Sequence, residues 1–375
     1  MLPLGDVEHG NINRLARGLA EGFSAIGMQP HFIDYRQDAP PPWPELEALI
    51  GSGDVRTLVA MNGVGFLSAG HEKLADAGID MFVYGTDHPC HLYPLMEAAP
   101  PHTIISFPTA SNLDFARRRM RTDIRYVHVP HATQVRVPRP WAERDIAVLM
   151  VGNLRQRAAD CAAVWQTRGA EIPILEAMRD IHLSTPPATL EGLGEQALEA
   201  TGNSHSDLAQ DRAFAKILRY FDPFARAQLR EQVISALAGV AVTIVGDWQG
   251  LGGGASDCHI FTGPKDADTV SDLIGRAKIV INTVPAYYRS HERIFEAMAA
   301  GAVTVTTGPT DFPDLNEANG VLSVADPAAL GQTVAELLAD DGALRRRGEA
   351  ATVQCSDNHG WTDRAGIIKD ALTEH

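Results

Sequence analysis

Apolar positions in the first third of the chain alternate between helical and strand spacing. Leu15, Leu19, Phe23 and Ile26 recur every three or four residues, which predicts an amphipathic helix. Short β-branched or aromatic runs between polar turns predict strands at 31–35, 57–61, 80–84, 102–107 and 124–129, with helices near 45–51, 68–77 and 111–119. Strands that alternate with helices indicate an α/β fold with a mainly parallel sheet covered on both faces.

A segment rich in Pro and charge, residues 128–145, has no apolar period and suits a linker between domains. A new buried strand is predicted directly after it, at 146–153. The chain of 375 residues is long enough for two domains. We therefore expect an N-terminal domain at 1–140 and a second domain at 141–358. An amphipathic helix within 359–375 is expected to pack back toward the first domain.

The second domain is expected to continue with helices, and then to alternate strands and helices again. The helical part covers 157–239, and we expect Pro223 to interrupt it. Further strands are predicted at 240–248 and 259–264, and the glycine-rich 250–256 between them is more typical of a turn than of a dinucleotide fingerprint.

The most informative stretch is 279–307, which predicts a strand, a loop, a helix and a second strand. Ser290 is the expected N-cap of the helix and Gly301 the residue that follows its C-terminus. Arg289, Ser290, His291 and Arg293 lie at the start of that helix, and a helix N-terminus beside cations favours an anion. The residues alone leave open the alternative that these are solvated polar groups before an ordinary helix.

Polar side chains follow the predicted strands of the first half, where parallel α/β sheets bind ligands. They are His9, Asn62, Asp87 and His88. A carboxylate or imidazole at such a position can take a proton from an acceptor hydroxyl, so Asp87, His88 and His9 are candidate catalytic bases. The alternatives are that Asp87 caps a turn before Pro89 and that the histidines are structural.

Composition narrows the class of protein. The formal net charge of −15 argues against nucleic acid as a partner, although a local basic pocket for a phosphate remains compatible with it. The four cysteines form no metal-binding pattern, so we expect them to be reduced. No apolar run reaches the length of a membrane span and the first ten residues lack signal-peptide features, so a cytoplasmic protein is expected.

The order VTIVGDW, FTGP, a helix, AKIVINTVP and SHERIFEAMAAGAVTVTT resembles the donor-binding half of GT-B glycosyltransferases. It is most similar to the group-1 and CgeB-like (spore maturation type) families. The resemblance covers about 140–375, while the first half matches in topology. It implies two Rossmann-like domains, with a nucleotide-diphosphate sugar bound in a cleft between them.

The resemblance also implies roles for individual residues. Glu296 would hold the ribose of the nucleotide. The groups near the diphosphate would be Arg289, Ser290, His291 and Arg293, with Gly152, Asn153 and Gly246 in the glycine-containing loops that face the donor.

The sequence departs from the group-1 pattern at two places. Retaining members usually carry Glu-x7-Glu, and with Glu296 as the second glutamate the first position is occupied by Tyr288. This difference weakens the case for a retaining mechanism. MLPLG is short for the first strand of such a domain, which suggests a trimmed N-terminus. The acidic pairs are scattered, so we expect no metal and no cofactor besides the nucleotide-sugar.

The expected function is a glycosyltransferase of the hexosyltransferase type, acting on a protein or glycan acceptor. Two alternatives remain open from the sequence. One is an enzyme of the same fold, a nucleotide-sugar epimerase or a phosphorylase. The other is a catalytically inert relative that acts as a binding or assembly subunit.

Overall fold

The computed structural model describes residues 10–33, 43–63, 74, 76–185, 188–203, 212–251 and 257–374. The chain divides into two compact units. Unit 1 comprises Met1–Gln134 and His359–His375, and unit 2 comprises Val135–Asn358. The change from one unit to the other therefore lies within the Pro-rich segment 128–145.

The described helices are α1 (Asn11–Ala25), α2 (Trp43–Gly51), α3 (Pro89–Ala98), α4 (Ala110–Arg119), α5 (Ala158–Trp165), α6 (Ile172–Ser184), α7 (Leu190–Ala200), α8 (Arg212–Ala236), α9 (Ala267–Arg276), α10 (Glu292–Ala299), α11 (Leu330–Ala339), α12 (Asp341–Asn358) and α13 (Trp361–Thr373). The described strands are β1 (Thr57–Met61), β2 (Asp80–Tyr84), β3 (Ile104–Phe107), β4 (Arg125–His128), β5 (Ile146–Val151), β6 (Thr243–Val245), β7 (Ile260–Phe261), β8 (Ala277–Asn282), β9 (Val303–Thr306) and β10 (Val321–Ser323). Each unit contains one parallel sheet, ordered β1-β2-β3-β4 in unit 1 and β10-β9-β8-β5-β6-β7 in unit 2. The predicted α/β class is therefore confirmed.

Most strand predictions in the first half are confirmed, and two are shorter in the structure than expected. The predicted strand at 31–35 is not formed over its described part, 31–33. Residues 34–35, most of the helix predicted near 68–77, residues 252–256 of the glycine-rich turn and the MLPLG segment lie outside the described residues.

Helix α3 was not predicted, because Pro89 and Pro94 suggest a break in regular structure. Pro89 is the first residue of the helix, a position at which the missing N–H costs nothing. His88 precedes it as the N-cap, and its Nδ1 accepts a hydrogen bond from the Cys90 N–H at 3.2 Å.

The predicted interruption at Pro223 is wrong, because α8 runs through it from Arg212 to Ala236. The side chains on either side of the proline, Phe221 and Phe224, both pack on the buried ring of Trp165, at centroid distances of 6.1 and 5.2 Å. Proline inside a helix costs about 3 kcal/mol. Anchoring both sides in one aromatic cluster offsets that cost and keeps the helix continuous.

In the sheet of unit 2, the order in which successive strands are added reverses between β5 and β8. From β5 the chain adds β6 and β7 on one side, and then crosses to add β8, β9 and β10 on the other. In open parallel sheets the crevice at such a switch point, beyond the carboxyl ends of the strands, is where ligands bind. Here those ends are Val151 of β5 and Asn282 of β8.

Helix α13 belongs to unit 1 and packs along α1. The buried Trp361 ring lies 5.7 Å from the ring of Tyr84. The Arg364 side chain donates to the carbonyl oxygen of His131 at 2.9 Å. A Cβ at Gly22 would overlap the backbone carbonyl of Trp361, so glycine permits the close approach of the two helices.

All four cysteines are free, as predicted. Across the part of the chain that the structure describes, no helix is long and apolar enough to cross a membrane.

We expect Gly22→Ala to destabilise unit 1, because the added methyl group must separate α1 from α13. Overpacking of this kind costs about 1–3 kcal/mol. The matched control is Gly366→Ala in α13, where an added Cβ has no atom within 4 Å. That change should stabilise the helix by about 0.5–1 kcal/mol. Urea unfolding of both variants measures the difference, and a neutral Gly22→Ala would contradict the packing.

Candidate functional site

The loops that follow β5 and β6 are bonded to each other at the carboxyl edge of the unit 2 sheet. The Gly152 N–H donates to the Val245 carbonyl at 3.0 Å, and the Asp247 N–H donates to Asn153 Oδ1 at 2.8 Å. Gly246 has a φ of 128°, and a Cβ there would overlap the Gly152 carbonyl oxygen. The three predicted donor-loop residues, Gly152, Asn153 and Gly246, therefore lie together.

Two arginines hold the end of β5 through its carbonyl groups. Arg230 Nη1, from α8, donates to the Asn153 carbonyl at 2.5 Å, and Arg293 Nη1, from α10, donates to the Val151 carbonyl at 3.2 Å. The Nε atoms of Arg230 and Arg293 are buried and have no hydrogen-bond acceptor among the described residues. Buried donors without an acceptor are costly, so these groups favour an incoming anion.

A third arginine is held by a buried carboxylate. Asp222 is 1% exposed, and its Oδ2 lies 2.7 Å from Arg226 Nε, four residues further along α8. Asp222 also accepts hydrogen bonds from the hydroxyls of Tyr287, at 2.8 Å, and Tyr288, at 3.1 Å. The Arg226 guanidinium donates to the Tyr288 hydroxyl and lies 4.5 Å from the centre of that ring. The network joins α8 to the loop between β8 and α10.

Positive charge exceeds negative charge in this cluster. Burial, followed by repulsion from Arg226 and Arg293, lowers the pKa of the Arg230 guanidinium to about 10. Arg230 is therefore cationic at neutral pH, and the carboxylate of Asp222 in the same cluster is already paired with Arg226. An excess of cations at the switch point of a parallel sheet is suited to binding a diphosphate.

The helix that was predicted to carry the anion site begins one residue later than expected. His291, and not Ser290, is the N-cap of α10, and its Nδ1 accepts from the Arg293 N–H at 3.3 Å. The Ser290 N–H donates to the Tyr288 carbonyl at 2.7 Å in a tight turn, which shifts the helix start. Gly301 follows the helix with a φ of 71°, as predicted for its C-terminus.

The predicted donor-binding residues of this stretch have different surroundings. Arg293 joins the cationic cluster. Arg289, with a φ of 54°, forms an ion pair with Asp311, so its charge is largely compensated. Glu296 is 4% exposed within α10. The individual roles of these residues remain predictions.

In unit 1 the structure brings two of the predicted polar residues together. Asn62, at the end of β1, donates through Nδ2 to Asp87 Oδ2 at 2.9 Å and accepts from the Thr86 N–H at 2.7 Å. Asp87 follows β2 and is partly exposed. His88 is 1% exposed, caps α3 and packs 5.4 Å from the ring of Phe115. His9 lies outside the described residues.

Sequence reasoning missed Asp222, Arg226 and Arg230. Their spacing of four residues places them on one face of α8, and that spacing was the available signal. Among the residues that the structure describes, no three His, Cys, Asp or Glu side chains form a group that could hold a metal ion.

Residues 226–370 match a protein-family model described as glycosyl transferase-like. The matched segment includes Arg226, Arg230 and Arg293, and also α13 of unit 1 up to residue 370. A comparison with curated proteins found no match.

Three solved structures resemble the whole chain. Sucrose-phosphate synthase from Thermosynechococcus elongatus is 13% identical, and the match covers 99% of this chain and 96% of that one with a TM-score of 0.57. T4 phage β-glucosyltransferase is 12% identical, and the match covers 100% of this chain and 97% of that one with a TM-score of 0.53. Anabaena HepE in complex with UDP and glucose is 12% identical, and the match covers 94% of this chain and 88% of that one with a TM-score of 0.50. At such identities the likeness establishes the fold, which is that of GT-B glycosyltransferases with two Rossmann-like domains. The CgeB-like subtype stays a prediction.

We expect Asp222→Ala to destabilise unit 2 strongly, because it leaves a guanidinium and two tyrosine hydroxyls without their shared acceptor. Removing one partner of a buried ion pair costs about 3–5 kcal/mol. The control is Asp145→Ala, which removes an exposed partner of Arg276 and should have a far smaller effect. Chemical denaturation followed by fluorescence compares the two variants. Equal losses would show that Asp222 does not organise the cluster.

Proposed function

We propose that the protein transfers a hexosyl group from a nucleotide-diphosphate sugar to a hydroxyl of a protein or glycan acceptor. The observation that carries the proposal is the cluster of Arg226, Arg230 and Arg293 around the loop after β5. The family match over residues 226–370 supports the same chemistry.

The proposed donor is a UDP-sugar. The T4 phage enzyme has been solved with its UDP-glucose substrate, and HepE with UDP and glucose. In this chain the diphosphate would lie against the guanidinium groups of Arg230 and Arg293 and the loop of Gly152 and Asn153. Glu296, buried on α10, is the proposed ribose-binding residue.

The arginines would stabilise the leaving group during transfer. The acceptor oxygen forms a bond to the anomeric carbon as the bond from that carbon to the β-phosphate oxygen breaks. Negative charge then grows on the diphosphate, and fixed cations stabilise that charge more in the transition state than in the ground state. Because guanidinium groups supply this charge, we propose that the transfer needs no metal ion.

The proposed base is Asp87 in unit 1. Its carboxylate is partly exposed and is oriented by the amide of Asn62, so it can accept the proton that the acceptor hydroxyl loses. His88 is less suited to this role, because its Nδ1 caps α3 and its ring is buried beside Phe115. A base of this kind fits inversion at the anomeric carbon. Tyr288, which binds Asp222, occupies the position of the glutamate that retaining relatives usually carry.

We expect Arg230→Gln and Arg293→Gln each to lower kcat/KM for the UDP-sugar by about 10- to 100-fold, which is the usual effect of losing a hydrogen bond to a charged group. The measurement is a donor panel assayed for UDP release, with EDTA present. Arg345→Gln removes the same charge from an exposed ion pair of unit 2 and should leave the rate unchanged.

Three results would contradict the proposal. They are the failure of the folded protein to bind any donor, activity that EDTA abolishes, and interconversion of the donor sugar without an acceptor. The last result would instead favour an epimerase.

We expect Asp87→Asn to lower the transfer rate by about 10²- to 10⁴-fold, the usual contribution of a general base. The affinity for UDP should not change, because asparagine has nearly the same shape as aspartate and because the proposed UDP-binding residues lie in unit 2. Asp54→Asn, an exposed aspartate of unit 1, is the matched control. Asp87 is not the base if the variant retains full transfer activity.

A further inference from the structure

The peptide group that joins Thr86 to Asp87 is held by two side chains from other parts of unit 1. One is Asn62, at the end of β1, whose Oδ1 accepts from the Thr86 N–H at 2.7 Å and whose Nδ2 donates to Asp87 Oδ2 at 2.9 Å. The other is His131, whose Nε2 lies 3.2 Å from the Thr86 carbonyl oxygen. The first contact orients the carboxylate, and the second fixes the plane of the peptide from which the Asp87 residue continues.

The ring of His131 can act only as a donor in this contact. A carbonyl oxygen accepts hydrogen bonds and has none to donate, so Nε2 of His131 carries a proton and donates it. The residue is 3% exposed, and this nitrogen is occupied by the carbonyl. His131 is therefore not suited to take a proton from an acceptor hydroxyl. Any effect that it has on the reaction must pass through the loop that it binds.

Helix α13 holds His131 in place. Arg364 donates to the His131 carbonyl oxygen through Nη2 at 2.9 Å and through Nε at 3.1 Å. Its Nε also lies 3.3 Å from the Pro130 carbonyl oxygen. Arg364 is 4% exposed, and arginine is seldom buried to this extent. The guanidinium thus fixes the stretch of backbone that carries the imidazole ring.

The backbone on the other side of His131 is bound to the same end of the chain. The Thr133 N–H donates to the His359 carbonyl oxygen at 3.1 Å, just before α13. Nδ1 of His359 lies 3.0 Å from Nη2 of Arg364, and because a guanidinium only donates, this nitrogen is the unprotonated one of the ring. Residues 131 and 133 are therefore both anchored to 359–364, so the position of the His131 ring does not depend on β4 alone.

We propose that His131, held by Arg364, is a positioning residue for the base that takes the acceptor proton. This inference rests on the proposed function, since it takes Asp87 as that base. A base must lie within hydrogen-bond reach of the proton, and a small displacement of it lowers the rate steeply. Asp87 lies in the loop after β2, and side chains on loops are placed less precisely than those on helices or strands. The contact from His131 supplies the missing precision.

We expect His131→Leu to lower kcat by about 10- to 100-fold, because a displacement of about 1 Å in a catalytic group can cost that much. The Kd for UDP, measured by calorimetry, should not change, since the proposed UDP-binding residues lie in unit 2. His131→Gln should keep most of the original kcat, because the glutamine amide can donate to the same carbonyl.

His128→Leu is the matched control. Nε2 of His128 lies 3.2 Å from the Pro108 carbonyl oxygen, so this change removes a histidine–carbonyl contact of the same kind at the end of β4. It should leave kcat unchanged. Melting curves establish that each variant is folded at the assay temperature. If His131→Leu is not, His131→Asn replaces it, because the shorter amide does not reach the carbonyl.

A double-mutant cycle separates positioning from a general loss of structure. In the Asp87→Asn background, His131→Leu should not lower the transfer rate further, because the group through which it acts is already absent. A merely structural role predicts the same loss in both backgrounds.

Three results would overturn this inference alone. They are an original kcat in His131→Leu, a loss in His131→Gln as large as in His131→Leu, and equal losses in the two backgrounds. Full transfer activity of Asp87→Asn would instead refute the proposed base, and this inference with it.

Discussion

The carboxylate of Asp222 is buried beside the Arg226 guanidinium and accepts hydrogen bonds from two tyrosine hydroxyls. A buried charge is tolerated only when it is paired and hydrogen-bonded, so all three partners must stay in place for unit 2 to fold as it does. Two of them, Tyr287 and Tyr288, lie in the loop that leads into α10. The carboxylate therefore sets the position of that loop against α8, and with it the start of the helix that carries Arg293.

This arrangement explains how Arg230 and Arg293 can lie close together in an acidic protein although neither forms an ion pair among the described residues. Arg230 and Arg293 are bound mainly through backbone carbonyls of the β5 loop, which satisfy hydrogen bonds but carry no net charge. Burial, followed by repulsion from Arg226 and Arg293, lowers the pKa of Arg230 to about 10, which is still far above neutrality. Arg230 thus keeps its charge at physiological pH. That property suits the binding of a diphosphate, and it makes the cluster the centre of the proposed transfer.

The sequence predicted the parts of this site that depend on local pattern. The bounds of β1 and β2, and the positions of Gly152 and Gly246, follow from apolar runs that end in glycine or polar residues. The roles of Asp222, Arg226 and Arg230 in α8 were missed, because α8 is far in sequence from the β5 loop that it contacts. The sequence pattern of an amphipathic helix also does not show which neighbouring element its polar face contacts. The expected N-cap was wrong by one residue, because the tight turn from Tyr288 to Ser290 depends on the tyrosine contacts with Asp222.

The partner that holds an arginine decides whether its charge is available to a ligand. Arg289 is bound to a carboxylate, so its charge is largely compensated even though it lies next to a helix N-terminus. Arg230 and Arg293 are bound to carbonyls, which carry no net charge to compensate theirs. Arg144 shows that this condition is not sufficient. It is also bound to carbonyls, but only 6% of its surface is exposed, and its guanidinium lies against the ring of Trp141. An arginine is therefore a candidate anion ligand when it is held by carbonyls and is also accessible from a cleft. The sequence shows only how many cations lie near the start of a helix. It does not show which group holds each arginine or how accessible that arginine is.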